Sequence, residues 1–257
     1  MKTLEGRVAL ITGAGSGIGK GIAEAFAREG AMVALSGRTL SKVEAVADAL
    51  RKEGCQAKAM QADVSKPDDG AKLVAGTVAE FGALHVLVNN AGVARAKALA
   101  DTSDEEIDAI VDIDLKGPMF MSRAALAELA KHKDSGGSAI LNISSSVTHI
   151  ALRNFSVYSA AKAGLDHLTR CLALDLAADR IRVNAICPGV VETPIFATMM
   201  PKAAVPKAMA GFAEMHPLGR VGQPSDIAAA AVYLCSASAS WVTGVVMPVD
   251  GGISLGA

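Results

Sequence analysis

The sequence predicts an α/β fold, built as one doubly wound domain around a seven-stranded parallel sheet. Three observations indicate this fold: short β-branched runs alternate with amphipathic segments, a glycine-rich turn follows the first run, and no linker divides the chain. A chain of 257 residues that is 51% hydrophobic can bury a single core of this kind. We therefore expect one domain over residues 1–257.

The predicted strands lie near residues 7–12, 31–36, 57–62, 84–89, 137–143, 180–186 and 244–249, with helical segments between them. Strands that alternate with helices form a parallel sheet, and such sheets bind ligands beyond the carboxyl ends of their strands. The distinctive residues of this chain follow its first, fourth, fifth and sixth strands. We expect a single crevice to collect them.

The segment after the first strand contains Gly13, Gly17 and Gly19, and a helical pattern follows it. In such a strand, turn and helix, glycines let the backbone approach a pyrophosphate, and the N–H groups that open the helix bind the anion. The spacing differs from the common G-x-G-x-x-G pattern, because Ile18 stands where the last glycine would fall. The unit still predicts a dinucleotide site of the Rossmann type.

Tyr158 and Lys162 lie four residues apart in a segment with helical periodicity, so the phenol and the ammonium share one helix face. A free tyrosine titrates near pH ~10, which is too high for proton exchange at neutral pH. Two unit charges about 4 Å apart interact by about 4 kcal/mol at an effective dielectric of about 20, enough to lower a pKa by about three units. The pair is therefore a candidate for acid–base chemistry, although such pairs also arise by chance in helices.

Five motifs occur in the order and spacing that the short-chain dehydrogenase/reductase family carries. They are Thr12-Gly-x-x-x-Gly-x-Gly19, Asn89-Asn-Ala-Gly92, Ser145 thirteen residues before Tyr158, Tyr158-x-x-x-Lys162, and Cys187-Pro-Gly189. The chain resembles this family over residues 4–252, and it looks most like the 3-oxoacyl-carrier-protein reductases and the polyol or sugar dehydrogenases. The resemblance implies an oxidoreductase that interconverts a carbonyl and a secondary alcohol with a nicotinamide dinucleotide.

The resemblance also implies catalytic roles. Tyr158 would exchange a proton with the carbonyl or alcohol oxygen, Lys162 would lower the tyrosine pKa and hold the nicotinamide ribose, and Ser145 would hydrogen-bond the developing alkoxide. Thr193 would fix the nicotinamide carboxamide, and Asp63 would accept from the adenine amine. The implied cofactor-binding set is Gly13, Ser16, Gly17, Ile18, Gly19, Arg38, Asp63, Val64, Asn90, Ala91, Gly92, Tyr158, Lys162, Pro188, Gly189, Val191 and Thr193.

The end of the second strand indicates which dinucleotide is used. Folds that prefer NAD usually place an acid there, but this chain has Gly37 followed by Arg38, which can bind a 2′-phosphate. We predict NADP(H). NAD(H) stays open, because relatives that prefer NADP often carry a basic residue in the glycine loop, where this chain has Ser16.

One position departs from the family pattern. Relatives usually carry an asparagine where this chain has Asp114, and that asparagine acts chiefly through its main-chain carbonyl, which an aspartate keeps. In one interpretation, the replacement of asparagine by aspartate is therefore tolerated and the proton relay still works. Alternatively, a carboxylate near Lys162 partly cancels the ammonium and raises the Tyr158 pKa, unless it is protonated or turned away. We count Asp114 among the candidate catalytic residues.

The substrate pocket is the least defined region. We expect it to include Ala94, Val147, His149, Arg153 and Phe155. Residues 190–222 are predicted to form a lid, whose adaptable apolar set comprises Phe196, Met199, Met200, Met209, Phe212 and Met215. Alternatively, these residues pack a helical flap or a subunit contact and touch no ligand.

Charge and composition exclude several functions. A net charge of -1 with scattered basic residues argues against a nucleic-acid or anionic-membrane surface, and no apolar run approaches the ~20 residues of a membrane span. With a strand starting near residue 7, we expect no signal peptide and a soluble cytoplasmic protein. The four cysteines are widely spaced, so neither a disulfide scaffold nor a metal site is predicted.

Two further expectations concern partners and class. The resemblance implies a homo-oligomer, a dimer or tetramer, whose contacts involve the Tyr158-bearing helix, residues 227–234 and residues 245–249. The partner of the site would be a small-molecule carbonyl or alcohol. A non-catalytic dinucleotide-binding regulator is the alternative class, and the presence of Ser145, Tyr158 and Lys162 together argues against it.

Overall fold

All seven predicted strands form in the computed structural model, which describes residues 2–256. They are β1 (Val8–Thr12), β2 (Met32–Gly37), β3 (Ala57–Gln61), β4 (Val86–Asn89), β5 (Ser138–Ile143), β6 (Ile181–Pro188) and β7 (Val246–Val249). They pair in parallel in the order β3-β2-β1-β4-β5-β6-β7. The predicted doubly wound α/β fold is confirmed.

Helices cover both faces of the sheet. They are α1 (Gly17–Arg28), α2 (Leu40–Lys52), α3 (Pro67–Phe81), α4 (Asp104–Val111), α5 (Gly117–Ala130), α6 (Ser156–Asp175), α7 (Val205–Glu214) and α8 (Pro224–Cys235). One apolar cluster joins the sheet to α1, α2 and α8, and a second joins it to α3, α5 and α6. None of the helices within residues 2–256 combines the length and apolar composition that crossing a membrane requires.

The central strands are mostly apolar because both of their sides are covered. In β1, Ala9 and Ile11 belong to the first cluster, while Leu10 faces the second, and all three are fully buried. Successive side chains of a strand point to opposite faces, so one unbroken apolar run supplies both halves of the core.

The strand order reverses next to β1, since the chain first extends the sheet through β2 and β3 and then returns to add β4 on the other side. In open parallel sheets a ligand crevice opens at such a reversal, outside the carboxyl ends of the strands. The glycine turn after β1 and the turn after β4 therefore meet at one place.

A short π-helical turn, Asp112–Lys116, joins α4 to α5. Turns of this type widen the helix by one residue and are frequent at functional sites. This one carries Asp114 into the interior, where the side chain has no solvent exposure.

Candidate active site

The glycine turn forms a narrow cradle that has no room for side chains. Gly13 has φ +66° and Gly17 has φ +56°, in the left-handed region that favours glycine. A Cβ on Gly13 would lie 2.8 Å from the Ala91 Cα, and one on Gly17 would lie 3.0 Å from the Thr193 methyl carbon. The helix N-cap, Ser16, makes no side-chain bond to the helix, so its first turn is open to an anion.

Hydrogen bonds fix the cradle against the turn after β4. The Asn90 amide donates to the carbonyls of Thr12 (2.9 Å) and Gly13 (3.2 Å). The Thr12 hydroxyl accepts from the main-chain N–H groups of Asn90 (3.0 Å) and Ala91 (3.1 Å). Gly19 packs against Asn90 and Gly13 from inside the helix, so this glycine serves close packing of the turn. These features fit a dinucleotide pyrophosphate.

The four predicted catalytic residues, Ser145, Tyr158, Lys162 and Asp114, line the same cavity as the cradle, which has a volume of about 620 Å³. Tyr158 and Lys162 come from α6, and the ammonium lies 5.7 Å from the centre of the tyrosine ring. Ser145 follows β5, where its hydroxyl accepts from the Val147 N–H at 3.4 Å. Phe155 packs edge-on against Tyr158 with ring centres 6.2 Å apart, which restricts the phenol.

Lys162 is almost fully buried, with 4% of its surface exposed. Its ammonium donates to the Ile143 carbonyl at 2.8 Å and lies 3.1 Å from Asp114 Oδ1. Asp114 Oδ2 accepts from the Val93 N–H at 3.0 Å. The carboxyl is therefore not turned away from Lys162, which answers one of the questions that the sequence left open.

Burial in the cavity wall raises the pKa of Tyr158, and the charges of Asp114 and the Cys187 thiol act in the same direction. Lys162 and a hydrogen bond from Ser145 oppose this without reversing it. Lys162 therefore acts on the Tyr158 pKa in the expected direction, but burial outweighs the ammonium and the pKa is raised overall. The phenol keeps its proton at neutral pH.

The two pKa shifts bear on the ion pair in opposite ways, since a raised Asp114 pKa disfavours the carboxylate and a raised Lys162 pKa favours the ammonium. Burial raises the pKa of Asp114, although Lys162 and the Val93 N–H oppose the shift. Burial disfavours the charge of Lys162, but Asp114 and Tyr158 outweigh it, so the pKa of Lys162 is raised. Lys162 is thus cationic at neutral pH.

Most predicted cofactor residues line the cavity. They are Gly13, Ser16, Gly17, Ile18, Arg38, Asp63, Val64, Asn90, Ala91, Gly92, Tyr158, Lys162, Pro188, Gly189, Val191 and Thr193. Asp63 Oδ1 already accepts from the Ser65 hydroxyl at 2.7 Å and from its N–H at 3.1 Å. Its contact with adenine stays a prediction.

The predicted substrate residues divide into two groups. Ala94, Val147 and Phe155 line the cavity, whereas His149 and Arg153 are exposed and do not. The His149 ring lies within 4.8 Å of the ligand atoms of Asp166 and Cys187. The structure does not place His149 and Arg153 in the cavity lining, and their contact with a substrate stays a prediction.

Four of the six predicted lid side chains, Phe196, Met199, Phe212 and Met215, line the cavity together with Ile150 and Leu152. They lie on a 3₁₀ turn, Pro194–Thr198, on α7 and on the residues that follow these elements. Met200 and Met209 are not part of the lining. The lid segment therefore gives one wall of the cavity an apolar surface.

Two cations of the cavity were missed from the sequence. Lys42, in the first turn of α2, packs beside the glycine turn: a Cβ on Gly15 would lie 3.1 Å from the Lys42 Cβ. Arg95 lines the cavity on the segment after β4. The only sequence signal for Lys42 was its position four residues after Arg38 at the start of a helix, and Arg95 carried none.

This fold and site define a nicotinamide-dependent oxidoreductase, in which a dinucleotide cradle opens onto a tyrosine, a lysine and a serine. The family model described as enoyl-(acyl carrier protein) reductase matches residues 13–254. The chain belongs to the short-chain dehydrogenase/reductase family, as its motifs predicted.

Curated relatives match over nearly the full chain. The cis-4-hydroxycyclohexanecarboxylate dehydrogenase of Sinomonas cyclohexanicum is 40% identical over 247 residues, covering 96% of each chain. The 3beta-hydroxysteroid dehydrogenase 1 of Eggerthella lenta is 38% identical, covering 98% of this chain and 95% of that one.

A similar solved structure is a 3-ketoacyl-(acyl-carrier-protein) reductase from Brucella melitensis complexed with NADH. It has a TM-score of 0.90 at 38% identity, covering 98% of this chain and 99% of that one. The alternative of a non-catalytic regulator is not supported, because these relatives are enzymes.

Proposed function

We propose that the protein interconverts a secondary alcohol and its ketone by hydride exchange with NADP(H), with Tyr158 as the general acid and base. The observation that carries the proposal is the meeting of the Tyr158 phenol, the Ser145 hydroxyl and the buried Lys162 ammonium at a cavity that also contains the glycine cradle. A bound dinucleotide supplies or accepts the hydride.

The protein side chains supply the proton and the electrostatic stabilisation. Tyr158 donates to the carbonyl oxygen as the carbon is reduced, and it takes the proton back in the reverse direction. The Ser145 hydroxyl hydrogen-bonds the oxygen as negative charge develops there. Because Tyr158 is protonated at neutral pH, it already carries the proton that reduction of a ketone requires.

The apolar wall supports a bulky apolar substrate. Methionine and aromatic side chains give large adaptable surfaces, so this wall can contact substrates with rings of different shapes through Phe196, Met199 and Phe212. The two dehydrogenases named above are, by their printed names, enzymes of a hydroxycyclohexane carboxylate and of a hydroxysteroid. We propose alicyclic secondary alcohols and ketones as the first substrates to assay.

The decisive experiment is Tyr158→Phe, assayed on a panel of alicyclic and aliphatic ketones and alcohols. We expect kcat to fall by about 10²- to 10⁴-fold, the usual share of a general acid or base. The dissociation constant of the dinucleotide should stay within about twofold, because the ring is retained.

The matched control is Tyr233→Phe, which changes the second tyrosine of the chain at an exposed position of α8. It should leave kcat unchanged. Activity that survives in Tyr158→Phe would refute the acid–base assignment, and loss of dinucleotide affinity in that variant would indicate a binding role for Tyr158.

The preference for NADP(H) is supported by two exposed cations, Arg38 and Lys42, at the end of the cavity near β2. Neither makes an ion pair within residues 2–256, whereas many surface cations of the chain do. The Gln61 amide donates to the Arg38 carbonyl at 2.9 Å, which fixes the backbone that presents the guanidinium. A 2′-phosphate would neutralise both charges.

We expect Arg38→Gln to lower kcat/KM for NADP(H) by about 10- to 100-fold, the value of one or two charge-assisted bonds, and to change that for NAD(H) little. Lys52→Gln, at the far end of α2, is the control and should change neither value. A wild-type preference for NAD(H) above about tenfold would refute the NADP(H) assignment.

An NAD(H)-dependent dehydrogenase is the second candidate. It is favoured by the absence of a basic side chain at Ser16 and by the NADH in the Brucella structure. The same kinetic comparison separates the two candidates.

We also propose that the chain forms a dimer or tetramer through β7 and α8. Strand β7 ends the sheet with one edge unpaired, and all four of its residues are at least partly exposed. Exposed strand edges readily pair with another chain. Sedimentation velocity tests this assembly, and a monomer at micromolar concentration would contradict it.

A further inference from the structure

The buried ion pair between Asp114 and Lys162 distinguishes this site. Asp114 has no exposed surface, and its Oδ1 lies 3.1 Å from the lysine Nζ. Gly92 leaves the space that the carboxyl occupies, because a Cβ there would lie 2.7 Å from Oδ1. The Val93 N–H holds the other oxygen, so the carboxylate is fixed from two sides.

Lys162 is held by one hydrogen bond and by the ion pair. An ammonium has three N–H donors. The Ile143 carbonyl accepts one at 2.8 Å, whereas Asp114 Oδ1, 3.1 Å from the nitrogen, is an ion-pair partner that forms no hydrogen bond. The centre of the Tyr158 ring lies 5.7 Å from the same nitrogen.

The charges around Tyr158 come from several elements. Lys162 and Asp166 lie on its own helix, Asp114 on the π turn, Cys187 on β6 and Ser145 after β5. Lys162 is the positive charge in this group, and Asp114 is the carboxylate in contact with it. The field that reaches the phenol is therefore that of an ion pair, which is weaker than that of a free ammonium.

We propose that Asp114 is a positioning residue, which holds the Lys162 ammonium and withdraws part of its charge from the Tyr158 phenol. This rests on the proposed function, since it concerns the side chain assigned there as acid and base. The consequence is an enzyme whose tyrosine stays protonated to higher pH, which extends ketone reduction and limits alcohol oxidation at neutral pH. The direction of the Tyr158 pKa shift, to which Asp114 contributes, agrees with this.

The test uses the small number of tyrosines, since the chain has two, Tyr158 and Tyr233. In the Tyr233→Phe background, the near-ultraviolet absorbance of tyrosinate reports Tyr158 alone, and no turnover is needed. Asp114→Asn should lower the tyrosinate midpoint by about one pH unit, the smaller end of the effect of a close charge. It should also move the acidic limb of the pH–rate profile for alcohol oxidation to lower pH by the same amount.

Asp112→Asn is the matched control. Asp112 lies on the same π turn, is 37% exposed in its side chain, and pairs with the exposed Lys116 at 2.8 Å. Its replacement removes the same charge from the same segment without touching Lys162, so the midpoint should not move. Equal midpoints in Asp114→Asn and the parent would overturn the proposal.

The two measurements separate this proposal from the proposed function. A shifted absorbance midpoint with an unchanged pH–rate profile would support the coupling to Asp114 and refute Tyr158 as the acid and base. If Asp114→Asn does not fold, Asp114→Ser keeps a short acceptor for the Val93 N–H and removes the charge. The same lowered midpoint is expected, and an unmoved one would overturn the proposal.

Discussion

Two buried carboxylates, Asp114 and Asp166, lie near Lys162 and are stabilised in different ways. Asp114 has an ammonium 3.1 Å away, whereas both oxygens of Asp166 lie 3.9 Å from the Cys187 thiol. Asp166 is 5% exposed and belongs to the same helix as Lys162. One carboxylate is thus balanced by a charge and the other is met by a neutral donor.

The difference explains why Cys187 stays neutral while Lys162 stays charged. Burial and then Asp166 raise the pKa of Cys187 to about 11, so the thiol stays protonated and can donate to the carboxylate. Lys162 instead stays charged, because Asp114 compensates it. The charged pair lines the cavity, while Asp166 and Cys187 do not.

The largest effect should follow from removing the ammonium. Lys162→Met leaves Asp114 buried without its counter-charge, so the free energy of unfolding should fall by about 3 to 5 kcal/mol. Urea denaturation measures this loss. Adding Asp114→Asn to Lys162→Met should recover part of it, because the stranded charge is then gone.

Lys116→Met is the control for that prediction. It breaks the exposed pair with Asp112 on the same turn, and the loss should be below about 1 kcal/mol. If Lys162→Met cost no more than Lys116→Met, the buried pair would not differ energetically from a surface pair.

A smaller effect, confined to high pH, should come from the thiol. The pKa of Cys187 rises from 9.0 to about 11 on folding, so its contribution is complete below pH 9 and is lost as the pH rises towards 11. The wild-type free energy of unfolding should fall over this interval by up to about 3 kcal/mol more than that of Cys187→Ala. Urea denaturation under reducing conditions at several pH values measures the difference.

Cys171→Ala changes an exposed cysteine and should keep the wild-type slope. Parallel slopes for Cys187→Ala and wild type would show that Cys187 ionises as readily in the folded chain as in the unfolded one. In that case the contact with the Cys187 thiol would not explain how the buried Asp166 carboxylate is stabilised.

Local features were predictable where neighbouring residues decide the outcome. Tyr158 and Lys162 share a helix face because of their spacing alone, and Gly13 and Gly17 adopt positive φ in a turn that only glycine accepts readily. Features that depend on distant segments were predicted less well. His149 was expected in the pocket, but the turn after β5 brings its ring beside Asp166 and Cys187.

The sequence by itself determined the α/β fold, the glycine cradle and the residue types of the catalytic group, since β-branched runs, glycine turns and helical spacings are encoded within a few residues. Only the tertiary structure decided that Asp114 touches Lys162, that Lys42 and Arg95 line the cavity, and that burial outweighs the ammonium at Tyr158. The physical reason is that charges act through space. Their distances and their desolvation are set by how separate elements pack, and no short stretch of sequence contains that information.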